Sequence, residues 1–205
     1  GISVFFIKVP FVACATDGFF LSYYNAKKNP SRRYIFMEQN KRIIRITRTA
    51  VFLALLIVLQ AATAPLGSTL LTGSVVNFLL ITSVMLCGPA SGFTVAVLSP
   101  VLARFLGIGP LWALIPFIIA GNITICAVWY LIAGRGGRAG AFRKCLAVAG
   151  GAAAKTAVLY GGIACFAVPY LLVLAEPQAS LVSGMFSLPQ FFTAMAGGTA
   201  AAVLL

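Results

Sequence analysis

The chain contains no histidine and only three acidic residues, Asp17, Glu38 and Glu176, against 15 lysines and arginines. Without histidine and with so few carboxylates, no intramembrane acid/base pair can be assembled, which disfavours an intramembrane enzyme, and no enzymatic activity is expected. A proton-coupled pump carries Asp, Glu or His within its spans, and this chain has none there. There is also no G-x-x-x-x-G-K-[ST] loop, no H-E-x-x-H and no G-x-S-x-G, which excludes ATP binding by a P-loop, zincin chemistry and an esterase elbow. The five cysteines, Cys14, Cys87, Cys126, Cys145 and Cys165, form no C-x-x-C pair, so they read as free thiols filling space among helices. Neither a metal nor another cofactor is expected.

What is present is apolar. Hydrophobic residues make up 61% of the chain, mean hydropathy is +1.04, and 9% of residues are charged, against roughly 25% in a water-soluble domain. The sequence therefore predicts an all-α, multi-pass membrane protein. About six apolar runs follow residue 49, broken mainly by Gly, Pro and basic clusters. They span Thr49 to Pro65, Gly73 to Cys87, Ala90 to Leu106 with a kink expected at Pro100, Leu111 to Ala133, Cys145 to Ala175 with a kink or break at Pro169, and Leu188 to Leu205. The net charge of +12 does not point to nucleic acid. Past residue 36 most of the basic residues fall in two clusters beside apolar runs: Lys41, Arg42, Arg45 and Arg48, then Arg135, Arg138, Arg143 and Lys144. The positive-inside rule places both in the cytoplasm, four crossings apart, so a six-helix bundle with a cytoplasmic N-terminus satisfies span count and charge together.

The ends read differently. The stretch Ile2 to Tyr24 is interrupted by Lys8, Pro10 and Asp17, which makes it a poor span and a poor signal peptide. Residues 1–36 are expected to be an upstream extension or weakly ordered. Met37 is a natural start for a membrane domain over residues 37–205, and the last apolar run is expected to be cut short at Leu205.

Few polar side chains fall within the runs. Lys155 lies eleven residues past Lys144, about 16 Å along a helix and near mid-membrane. A lysine at that depth is either part of a ligand site or snorkels to the interface. Arg104, at the end of the third run, can contact a ligand or reach outward. Asn122, after Gly121, can bond a neighbouring helix or a ligand. Asn77, Gln60 and Gln190 are weaker candidates of the same kind. Trp112, Tyr160 and Tyr170 could stack on a ligand ring, although Trp112 and Tyr170 equally suit an interface belt. Small residues are dense from Gly150 to Ala154, at Gly161 and Gly162, and from Ala194 to Gly198, where they let helix backbones approach closely.

Six spans, a cytoplasmic N-terminus, no ATPase motif and no coupling acids resemble the membrane-embedded substrate-binding subunit, or S component, of energy-coupling factor (ECF) transporters. More specific is the run Ala50, Val51, Phe52, Leu53, Ala54, which resembles that family's A-x-x-x-A docking motif in the first helix. Ala50 and Ala54 lie one turn apart on one face. The stretch from Gly88 and Pro89 to Gly121 and Asn122, with Pro100, Pro110 and Pro116, is also similar to S components of uncharacterised specificity. The resemblance covers about residues 41–205. It implies capture of a vitamin or similar small nutrient in a pocket in the outer half of the membrane. Release would follow docking of Ala50 and Ala54 on a transmembrane T subunit that carries two cytoplasmic ATPases, in a bacterial cytoplasmic membrane. Pocket residues do not carry over one by one. A self-sufficient carrier and a non-transporting scaffold remain as alternatives, and an anionic ligand would suit the unpaired Lys155 and Arg104.

Overall fold

The computed structural model of the chain describes residues 30–134, 139–172 and 175–204, with side chains described from residue 39 onward. All elements among these residues are helical. In chain order they are α1 (Pro30–Thr63), a 3-10 turn (Ala64–Leu66), α2 (Thr69–Cys87), α3 (Pro89–Phe105), a second 3-10 turn (Trp112–Leu114) and α4 (Ile115–Ala133). Then come α5 (Ala141–Leu159), a π-helical continuation (Tyr160–Leu172), α6 (Gln178–Met185) and α7 (Leu188–Leu204). The chain divides into two units, Gly1–Ile46 and Thr47–Leu205. The described part of the first is helical from Pro30. Residues 1–29, on which most of the expected extension falls, lie outside the described residues.

Among the described residues four helical stretches are long and apolar enough to cross a membrane: Gln39–Leu66, Thr69–Cys87, Trp112–Ala133 and Ala141–Leu172. Helices α3 and α7 are apolar but 17 residues long, about 25 Å against a hydrocarbon core of about 30 Å. The apolar helices mark a multi-pass membrane protein.

Helix ends follow the local chemistry. Ser68 caps α2, its hydroxyl accepting from the Leu71 amide at 3.3 Å. Gly88, at φ 95°, takes a backbone conformation that a side chain would strain, and Pro89 then opens α3 at a position where its missing N–H costs nothing. Helix α3 runs unbroken through Pro100. The fifth run does change character, but at Tyr160, where the α-helix gives way to a π-helix that continues past Pro169.

In the second unit α2 packs against α7, α4 against α5, and α5 against α7. Their shared core holds Leu80, Ile81, Val84, Ile125, Trp129 and Ala152, and Leu56 of α1 joins it. A smaller cluster of Leu114, Leu159, Ile163, Ala167 and Val168 lies under α6, which contributes Ala179 and Val182. Glycines set the closest approaches. A Cβ on Gly197 of α7 would collide with the Ser74 carbonyl oxygen of α2, and one on Gly121 of α4 would lie 2.9 Å from Leu159 Cγ. These two contacts draw α7 onto α2 and α4 onto α5 at the levels of Asn77 and Asn122.

Candidate functional site: a buried lysine at a membrane-level cavity

Lys155 does not snorkel. It is 4% exposed, and its ammonium donates to Asn77 Oδ1 at 2.6 Å and to Asn122 Oδ1 at 2.8 Å. Three helices converge on it: α2 supplies Asn77, α4 supplies Asn122, and α5 supplies the lysine. Helix α7 adds a fourth group, because Asn77 Nδ2 donates to Thr193 Oγ1 at 3.4 Å. The Thr193 hydroxyl in turn donates to the Gln190 carbonyl, one helical turn back, at 2.9 Å. Asn77, Asn122 and Thr193 are all buried. The only acid among the described side chains is the exposed Glu176, so this buried cation is held by amide dipoles and has no carboxylate beside it. A buried charge without a counterion is costly, and hydrogen bonds to charge-bearing groups offset only part of that cost.

Lys155 and Asn122 line a cavity of about 360 Å³. Its walls come from α1 (Gln60), α2 (Thr72, Val76), α3 (Ser99, Pro100), α4 (Ile118) and the head of α7 (Gln190). Met185 and Phe186, at the end of α6, also line it. Polar atoms are few and apolar walls dominate, as in small-molecule sites generally. Gln60 brings an amide whose Oε1 is shielded from solvent and has no hydrogen-bond partner among the described residues. Gln190 holds its side chain in place by donating from Nε2 to the Met185 carbonyl at 3.3 Å, which ties α6 to α7 beside the cavity.

Of the residues singled out from the sequence, Lys155, Asn122, Gln60 and Gln190 line this one cavity, and Asn77 stands directly behind it. Arg104 and Trp112 lie elsewhere. The Arg104 guanidinium carbon sits 5.8 Å from the centre of the Trp112 ring, and neither residue lines the cavity. Trp112 also meets Phe105 edge-on at 5.2 Å, and both rings are exposed, as befits an interfacial anchor. Tyr160 and Tyr170 are exposed and outside the cavity lining. Ala50 and Ala54 lie on the exposed side of α1 together with Val51, Leu55 and Val58, opposite Leu56 and away from the cavity.

Thr193, Met185 and Phe186 were not legible as site residues. A threonine that bonds its own helix one turn back looks ordinary in sequence. Met185 and Phe186 lie at the end of α6, a short helix whose approach to the cavity has no local signature. No protein-family model matches the chain, and no curated protein and no solved structure matches it either.

Proposed function

We propose that this chain is the membrane-embedded substrate-binding subunit of an ECF-type importer in a bacterial cytoplasmic membrane. It binds a vitamin or similar small nutrient, has six crossings with the N-terminus inside, and delivers its ligand by docking on a T subunit with two ATPases. The observation that carries this reading is the cavity, lined by a buried ammonium that has no carboxylate partner among the described residues. A scaffold would gain nothing from such an arrangement, whereas a binding subunit gains an electrostatic anchor that strengthens when a ligand expels water. The exposed, small-residue face of α1 suits docking, since Ala50 and Ala54 present no bulk to a partner helix. The start of α1 and the start of α5 both carry basic residues, consistent with both lying on the cytoplasmic side. No covalent step is invoked. The chain binds and releases, and the work comes from the partner ATPases.

The test has two arms. Protein purified from its own cells is extracted with organic solvent, and the extract is analysed by mass spectrometry for a retained small molecule. In parallel, a tagged chain is probed for co-purifying T subunit and ATPases. A retained nutrient together with those partners is expected. Uptake that persists in cells without the ATPases would favour a self-sufficient carrier. Absence of both ligand and partners would overturn the proposal.

A further inference from the structure

The two amides that hold Lys155 are not equivalent. Asn77 commits both ends of its side chain within the protein, Oδ1 to Lys155 and Nδ2 to Thr193, and it does not line the cavity. Asn122 commits only Oδ1, at 2.8 Å from the ammonium, and it does line the cavity. With Oδ1 turned to Lys155, the Asn122 NH2 group stands on the other side of the same carbon, and none of the side-chain bonds among the described residues uses it. An ammonium has three N–H donors, and two are taken by the amides. The cavity lining therefore holds two adjacent donors with no partner among the described residues, the third N–H of Lys155 and the NH2 of Asn122, fixed relative to each other by the bond between their residues.

The charge count is as selective as the donor count. Among the described residues no second cation lines the cavity: Arg104 lies over Trp112, and Lys144 Nζ donates to the Ala202 carbonyl. A phosphate monoester brings a charge near −2 and three acceptor oxygens, which would leave about one unneutralised charge in an apolar cavity. A carboxylate brings one charge and two oxygens. The remaining walls, among them Val76, Pro100, Ile118, Leu159 and Phe186, call for an apolar body. At about 360 Å³ the cavity lies at the small end of the range for ligand pockets.

We infer that the cavity takes a small, largely apolar monocarboxylate, with one oxygen on Lys155 Nζ, the other on Asn122 Nδ2, and its body between α2, α3 and α4. Asn77 and Thr193 act as positioning residues that hold the ammonium from behind. This rests on the reading of the chain as a capture subunit and narrows its ligand.

The test uses the full chain in phosphatidylcholine nanodiscs. The probes are matched sets in which one apolar body carries a carboxylate, a primary amide, a phosphate monoester or a primary amine. Binding is read by affinity-selection mass spectrometry, alongside the identity of any endogenous molecule retained from the cell. Carboxylates are expected to be retained, with the matched amides at least about tenfold weaker and the phosphates and amines not retained. Lys155→Met should weaken carboxylate binding about 30-fold or more. Asn122→Asp guards against simple misfolding. It keeps the volume, supplies the counterion from within, and should lose carboxylate binding while melting no lower than the wild type. Retention of phosphates, amines or amides as well as acids, an endogenous ligand without a carboxylate, or wild-type affinity in Asn122→Asp overturns the carboxylate assignment and leaves the capture reading standing. Retention of no small molecule of any class overturns the capture reading itself.

Discussion

Replacing Asn77 by leucine tests whether the ammonium of Lys155 is held by the protein or merely sits in a wet cavity. The substitution removes the 2.6 Å charge-assisted bond to Lys155 and the longer 3.4 Å bond to Thr193. A hydrogen bond to a charged group contributes about 1.5–3 kcal/mol and a stretched neutral one about 0.5 kcal/mol, so a loss of about 2–3.5 kcal/mol is expected. Lys155→Met leaves the Oδ1 atoms of Asn77 and Asn122 unpartnered, at about 1–3 kcal/mol each, and is relieved in part by removing a buried charge, for a net of about 2–4 kcal/mol. The double variant sets Leu beside Met and leaves only Asn122 Oδ1 unpartnered, so it should cost about 1–3 kcal/mol. The two single losses sum to about 4–7.5 kcal/mol, which makes the expected coupling about 1 kcal/mol or more. Reversible unfolding of ligand-free protein in mixed micelles, titrated with SDS, reads all four corners of the cycle. Losses that add within about 0.5 kcal/mol would refute the reasoning, because they would mean that water solvates the ammonium whether or not Asn77 is present.

Three other outcomes follow from the packing. Gly197→Ala should destabilise the protein by about 1–3 kcal/mol in the same titration, because the new Cβ meets the backbone of α2 at Ser74 and, at 2.7 Å, the Phe78 nitrogen; Gly161→Ala, with nothing within 4 Å, should cost less than about 0.5 kcal/mol. Ala50→Trp or Ala54→Trp should leave ligand retention intact and abolish uptake in cells that carry the T subunit and ATPases, and unchanged uptake would remove the docking role. Arg104→Gln should change ligand retention by less than about threefold, since its guanidinium faces Trp112 outside the cavity, and a larger loss in a binding titration would return Arg104 to the site.

The helices were legible because Gly and Pro punctuate this chain at nearly every turn. The run from Leu111 to Ala133 became a 3-10 turn and α4 ending at the same alanine, and the run from Gly73 became α2, four residues longer at its start. The change from α to π winding at Tyr160 was not legible, since in a uniformly apolar stretch the i to i+5 register leaves no mark on residue type. Depth alone singled out Lys155, because an ionisable group far from either basic cluster has few places to go. Its partners were harder to foresee. Asn77 lies 78 positions away, and nothing in sequence says which of several intramembrane amides faces which. Arg104 was a separate candidate for ligand contact, but its guanidinium lies over Trp112 and does not line the cavity.

The position of Lys155 in the order of synthesis bears on how the protein enters its membrane. Among the four stretches long enough to cross, the one that carries this lysine is the least apolar, with a mean hydropathy of 1.4 against 2.0 to 2.1 for the others. A lysine at mid-helix adds about 2.5–3.5 kcal/mol to the cost of partitioning from the translocon into lipid. Asn77 and Asn122 are both translated first. The two acceptors that hold the ammonium of α5 therefore precede it in the chain, on α2 and α4. Thr193, made last, then fixes the orientation of Asn77. Chain order thus puts both acceptors ahead of the one stretch that is least apolar.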